Sequence, residues 1–137
     1  MWLGGFAPSE LKRVGRMADG WLPSFVTPAD AASGRVLIEQ VAAEHDRAIE
    51  DDHYGVLIPY AMDAVPDTLV AQLARRRPDL DDPASLVPLG WDAVLDTVKR
   101  FIDVGTTKFV VVPIVEPGES WDEHLTAAAE ILLPLET

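Results

Sequence analysis

Residues 1–23 read Met1-Trp2-Leu3-Gly4-Gly5-Phe6-Ala7-Pro8-Ser9-Glu10-Leu11-Lys12-Arg13-Val14-Gly15-Arg16-Met17-Ala18-Asp19-Gly20-Trp21-Leu22-Pro23. Trp2-Leu3 predicts a short apolar strand, and Gly4-Gly5 a turn. A helix is expected from Pro8 to Ala18, with proline at its first position, Leu11, Val14 and Met17 on one face, and Asp19-Gly20 closing it. Trp21-Leu22-Pro23 predicts a second strand. A strand that runs through glycines into a helix N-terminus makes an anion site. The glycines let a phosphate approach the backbone, and the helix supplies free N–H groups and the positive end of its dipole. The strand begins at residue 2 with almost no lead-in, so a preceding segment is expected.

The alternation continues outward from there. Thr27-Pro28-Ala29-Asp30 has an N-cap, a proline at the first helical position and an acid at the third, and the helix it starts is expected to reach Asp46 with Ile38, Val41 and Ala42 inward. Tyr54-Gly55-Val56-Leu57-Ile58-Pro59-Tyr60 is a nearly continuous apolar strand, the habit of parallel sheets buried on both faces. Pro66 to Arg77 predicts a short helix ended by Pro78, and residues 79–83 a loop. Gly90 opens a helix striped by Val94, Leu95, Val98, Phe101 and Ile102 and closed by Gly105. Lys108 to Ile114 is a fourth strand. Ser120-Trp121-Asp122-Glu123 predicts a capping box opening a last helix with Leu125, Ala128, Ala129 and Leu132 at helical spacing. The expected fold class is α/β, with four βα units and parallel strands in a single domain over residues 1–137. Two architectures fit it: half of an eight-stranded βα barrel, or a small open doubly wound sheet.

The composition narrows the function classes. Hydrophobic residues are 48% and charged residues 25%, enough to form a packed core. The formal net charge of −12 argues against nucleic acid and anionic membrane surfaces, both of which need clustered positive charge. The chain has no cysteine, which removes disulfides, thiolate nucleophiles and Cys-based metal sites. No stretch is long and apolar enough to span a membrane, and no signal peptide is indicated; a cytoplasmic address is expected.

In parallel βα folds the working end lies at the C-terminal edges of the strands. Those edges are Gly4-Gly5-Phe6, Pro23-Ser24-Phe25, Pro59-Tyr60-Ala61-Met62 and Ile114-Val115-Glu116. Glycines aside, they are aromatic, apolar and prolyl, which suits a flat organic small molecule better than acid–base hydrolysis. Glu116, beside Pro117-Gly118, reads as a solvated turn residue and Tyr60 as packing. His45, His53 and His124 read as structural, the last within a surface helix. Arg75-Arg76-Arg77 reads as a solvated helix end, with gripping of an anionic ligand tail as the alternative. No His/Asp/Glu spacing looks like a metal site, so no metal is expected.

Trp2-Leu3-Gly4-Gly5, followed by Leu11 through Trp21, is similar to the C-terminal half of luciferase-like monooxygenases. The match extends through Thr27-Pro28, the Gly90 helix start and Asp103-Val104-Gly105, and covers essentially the whole chain. Asp19 to Pro28 most resembles the branch that uses the deazaflavin coenzyme F420. The resemblance implies the C-terminal half of a TIM (β/α)8 barrel and an oxidoreductase or monooxygenase that uses F420, with FMN as the alternative. It implies that Gly4, Gly5 and the backbone of Phe6, with the helix start near Ser9, hold the cofactor phosphate. Family members are roughly twice as long, and the half that supplies most ring contacts is absent from this chain. A homo-oligomer, or pairing with an N-terminal half, is therefore expected, through an apolar seam at Trp2, Leu3, Phe109 and Val111. The competing readings are a non-catalytic half-barrel and an unrelated phosphate-binding α/β domain.

Overall fold

A computed structural model describes residues 1–136. They form two compact units: Met1–Ile58 with Val98–Val110, and Pro59–Thr97 with the chain from Val111 onward. Four strands and five α-helices are present among the described residues: β1 (Trp2–Leu3), α1 (Pro8–Met17), β2 (Gly20–Trp21), α2 (Pro28–Glu44), β3 (Gly55–Tyr60), α3 (Asp67–Arg76), α4 (Gly90–Asp103), β4 (Lys108–Pro113) and α5 (Trp121–Leu132). No described helix is long and apolar enough to cross a membrane.

In the first unit the strands are parallel and their neighbours follow chain order. β1 pairs with β2, Trp2 beside Gly20 and Leu3 beside Trp21. Trp21 at the end of β2 bridges Tyr54 just before β3, Ser24 bridges Leu57 of β3, and the Leu57 N–H donates to the Pro23 carbonyl at 2.9 Å. β3 neighbours β4, with the Thr107 N–H donating to the Tyr54 carbonyl at 2.8 Å. A doubly wound sheet reverses its strand order at the switch point, whereas a βα barrel does not. The observed order 1-2-3-4 is the barrel-like one of the two architectures. Pairing along β2 starts one residue earlier than expected, at Gly20. Pro23 has no N–H to give to a ladder and serves only as an acceptor.

The starts of α1 and α2 have local causes. At α2 the Asp30 N–H donates to Thr27 Oγ1 at 3.1 Å, and the Thr27 N–H donates to the Asp30 carboxylate at 2.8 Å. This is the expected reciprocal cap. At α1 the N-cap is Ala7, which has no side-chain acceptor, and Glu10 supplies the carboxylate instead. α1 lies tightly on α2 at Gly15, where a Cβ would come within 2.7 Å of the Ile38 carbonyl oxygen and 2.8 Å of Val41 Cβ. Leu11, Val14, Ala18, Trp21, Ile38, Ile49 and Tyr54 form the core of this unit, with Leu3, Phe6 and Leu37 packed against it. Burying side chains of this size stabilises by about 1.5–3 kcal/mol each.

The second unit buries Tyr60, Ala61, Leu73, Val87 and Val94. The Ile114 N–H donates to the Tyr60 carbonyl at 2.7 Å, and Ala61 bridges Leu89. Three expectations are corrected in the last two helices. Ser120 is the N-cap of α5, but its side chain makes no capping hydrogen bond. Glu119 organises the preceding turn instead, accepting the Glu116 N–H at 2.9 Å. Leu125 points to solvent, 62% exposed, because the side of α5 that is buried is the one carrying His124. Ile102 is exposed as well: the buried line of α4 runs Val94, Val98, Phe101, and the next residue turns away.

Candidate functional site

The N-terminal turn of the first unit combines three features. Gly5 has φ +91°, in the left-handed region that favours glycine. Its carbonyl accepts the indole N–H of buried Trp21 at 2.9 Å, which pins the turn to the core. Just past it, the Phe6 and Ala7 N–H groups both donate to Glu10 Oε2 at 2.9 Å. A Cβ on Gly5 would sit 2.5 Å from that same oxygen. Ser9, exposed in the first turn of α1, adds an N–H with no intrahelical acceptor. The loop therefore gathers donors around one anionic oxygen, and that oxygen belongs to Glu10. Sequence reading missed this role of Glu10; an acid three residues past the N-cap was the available signal.

A second cluster stands in the second unit, at the C-terminal end of β3. Tyr60 is 1% exposed, and its hydroxyl lies 2.9 Å from His124 Nδ1. His124 Nε2 faces the Glu119 carboxylate at 3.5 Å, and the Trp91 ring packs on the Tyr60 ring with centroids 4.7 Å apart. Burial, then the Glu119 charge, pushes the Tyr60 phenol up to about 12. The phenol thus stays a donor at neutral pH. The tautomer that satisfies both sides of the ring puts the proton on Nε2, toward Glu119, and leaves Nδ1 to accept from Tyr60. His124 was expected on a surface helix; it is buried and holds the buried phenol. No spacing pattern joins Tyr60, Glu119 and His124, so only the fold brings them together.

Other candidates are structural. The Arg77 guanidinium, expected at a solvated helix end, is buried and donates twice to Asp79, at 3.0 and 2.8 Å. Arg75 and Arg76 are exposed. His45 Nδ1 contacts the Val41 carbonyl and His53 Nδ1 the Asp19 carbonyl. Arg35 lies over the Tyr54 ring, 4.1 Å from its centroid, and donates to Glu39, Asp51 and the Gly105 carbonyl. Glu116 is exposed in its turn. No group of His, Asp or Glu among the described residues is arranged to hold a metal ion. Of the expected seam, Trp2 is partly exposed while Leu3, Phe109 and Val111 are half-buried; Val110 is 41% exposed.

No protein-family model matches the sequence, and no curated protein matches it. Solved structures do match its fold. An F420-dependent tetrahydromethanopterin reductase from Methanopyrus kandleri matches with TM-score 0.63 and 19% identity over 99% of this chain and 50% of that one. An F420-dependent secondary alcohol dehydrogenase, solved with an F420–acetone adduct, matches with TM-score 0.70 and 15% identity over 99% and 48%. A monooxygenase from Streptomyces bottropensis matches with TM-score 0.58 and 12% identity over 98% and 47%. The chain spans about half the length of each of these structures. At these identities the likeness is one of fold: the chain has a half-length luciferase-like fold, α/β with parallel strands.

Proposed function

We propose that the chain is the phosphate-holding C-terminal half of a (β/α)8-barrel oxidoreductase, built of four βα units, whose cofactor is the deazaflavin F420 or, alternatively, FMN. The observation that carries the reading is the turn after β1. Backbone donors of Phe6 and Ala7 converge on an anionic oxygen beside Gly5, as a phosphate requires, in a fold shared with half of F420-dependent enzymes.

The donor set fits a phosphate in charge and kind. Gly5 keeps a side chain clear of the approach, Gly4 lets the turn lie close to the Leu22 carbonyl, Phe6 and Ala7 give N–H groups, and Ser9 adds a first-turn N–H and a hydroxyl. Glu10 must swing away to free those donors; its half-buried side chain has three torsions to do so. When bound, a reduced deazaflavin or flavin would supply the electrons for hydride transfer to, or monooxygenation of, a small-molecule substrate. This chain's contribution is to bind and orient the phosphate end.

The alternative, a non-catalytic half-barrel that pairs with a copy of itself or with another chain, is favoured by the apolar residues left exposed on β4 and α5. Titration of the purified chain with F420 and with FMN, followed by fluorescence, separates the two. Saturable binding that Gly5→Val weakens by about tenfold or more supports the cofactor reading, given about 1.5–3 kcal/mol per charge-assisted hydrogen bond. Binding of neither cofactor, or binding indifferent to that substitution, removes it.

A further inference from the structure

The Gly5 carbonyl and the Phe6 N–H are the two ends of one planar peptide group, and in a trans peptide they point in opposite directions. At one end the carbonyl accepts the Trp21 indole N–H at 2.9 Å. At the other the Phe6 N–H donates to Glu10 Oε2 at 2.9 Å. Whatever fixes the carbonyl therefore aims the donor. Backbone sterics hold this plane only loosely, because Gly5 lacks the Cβ that restricts rotation in other residues. The indole supplies the missing restraint.

The indole is itself held. Trp21 is 1% exposed, and its six-membered ring lies against Gly34 of α2. A Cβ added at Gly34 would stand 2.5 Å from Trp21 Cη2 and 3.2 Å from both Cζ2 and Cζ3. One glycine thus lets the ring approach α2 closely, and the other takes its N–H. A buried indole N–H is costly to leave without an acceptor, so the ring and the Gly5 carbonyl stay together. All three residues belong to the first unit. We infer that Trp21 is a positioning residue for the donor turn: through the Gly5 carbonyl it locks the peptide between residues 5 and 6, so that the Phe6 N–H, followed by that of Ala7, faces the place of the anion. Gly34 keeps the ring in register. That the anion is a cofactor phosphate rests on the function proposed above; the aim of the donors does not.

The test uses the whole chain, labelled with nitrogen-15 and free of ligand, with hydrogen exchange followed by NMR. The chain has four tryptophans, and the Trp21 indole signal is the one lost in Trp21→Phe. In the unsubstituted protein this indole N–H is expected to exchange as slowly as the core amides of Val14 and Ile38. Trp21→Phe keeps an aromatic ring in the core and removes the N–H. The Phe6 amide should then exchange about fivefold faster relative to that of Val14, as loss of one hydrogen bond predicts. Ile38→Ala removes core volume but no bond to the turn, and should leave that ratio unchanged. Gly34→Ala keeps the N–H but displaces the ring, and should shift the indole and Phe6 amide resonances together. Fast exchange of the indole in the unsubstituted protein overturns the inference. So does a ratio that Trp21→Phe and Ile38→Ala change alike, or a Gly34→Ala indole shift with the Phe6 amide unmoved, which decides the matter if Trp21→Phe does not fold. Titration with F420 and with FMN separates the two readings. Trp21→Phe should weaken binding about fivefold and Ile38→Ala should not. Binding that Trp21→Phe leaves intact removes the positioning role and keeps the phosphate turn. Absence of binding in the unsubstituted protein removes the phosphate reading, and the exchange result then decides the positioning role by itself.

Discussion

The Tyr60 hydroxyl and His124 Nδ1 lie 2.9 Å apart, buried, across 64 residues of sequence. This bond is the polar tie of an otherwise weakly buried α5. Removing the acceptor with His124→Ala leaves a buried phenol without a partner, which costs about 1–3 kcal/mol. Tyr60→Phe removes the donor and is expected to cost less, about 0.5–1.5 kcal/mol. The double variant should lose less than the sum, because the two changes remove one bond. Urea unfolding of the four proteins measures this; strict additivity would show that the pair is not coupled.

The chain has two tyrosines, so its alkaline titration reports on Tyr54 and Tyr60 alone. Both phenols are pushed up to about 12, each chiefly by burial; Glu39 adds at Tyr54 and Glu119 at Tyr60. In the unfolded chain they ionise near pH 10. A raised pKa gives stability that is complete below the unfolded value and is lost as pH rises through the folded one. Stability should therefore hold up to about pH 10 and fall between there and about pH 12. Tyrosinate absorbance should stay absent in the folded protein until it unfolds. A free phenol titrating near pH 10 in the folded state would contradict the burial of that residue.

Helix α2 was legible because its start is written locally. Thr27-Pro28-Ala29-Asp30 forms the cap that its spacing predicts, and Ile38, Val41 and Ala42 are buried as periodicity requires. The strand from Gly55 to Tyr60 is buried on both faces, as its unbroken apolar run implies. What failed depends on tertiary context. Leu125 and Ile102 continue an apolar period but face solvent, since a pattern cannot say whether a neighbour exists to cover it. His124 and Tyr60 meet only through the fold. Arg77 reads like its neighbours Arg75 and Arg76 until Asp79 folds back upon it. At the candidate site the glycine turn was legible and its occupant was not: Glu10 reads as a first-turn acid, and only the geometry shows its oxygen on the Phe6 and Ala7 donors.

The contact between α1 and α2 gives a sharp prediction at Gly15. An added Cβ meets the Ile38 carbonyl oxygen at 2.7 Å, and backbone in a helix cannot move aside cheaply. Alanine ordinarily favours a helix over glycine by about 0.5–1 kcal/mol. Overpacking should outweigh this, so Gly15→Ala should destabilise by about 1–3 kcal/mol. A rise in melting temperature would show that the two helices sit farther apart than described.

Glu10 holds the turn and competes for it. Glu10→Gln removes the charge that attracts the Phe6 and Ala7 donors and complements the helix dipole, and should cost about 0.3–1 kcal/mol of stability. The same change leaves those N–H groups more available to a phosphate. Stability and ligand affinity should thus move in opposite directions, with F420 or FMN bound more tightly by the less stable variant. Thermal melts with and without cofactor measure both. Weaker cofactor binding in Glu10→Gln would place the phosphate elsewhere.

Turnover tests how much of an enzyme this chain carries. Hydride transfer depends on holding donor and acceptor in a near-attack geometry, which contributes roughly 7–11 kcal/mol to barrier lowering. On the proposed function the Gly4–Gly5 turn fixes a phosphate, but the chain matches only 50% of the F420-dependent reductase of like fold. A phosphate grip alone leaves a flavin ring free to rotate about its chain, so most of that positioning is lost. The isolated 137 residues are expected to bind cofactor weakly and to show little or no oxidation or reduction of alcohols or aldehydes with F420 or FMN. Adding a polypeptide that completes the barrel should tighten cofactor binding and restore turnover together, since both follow from fixing the ring. Robust turnover by the purified chain alone, its mass confirmed, would show that these residues assemble a complete site and would overturn the half-barrel assignment.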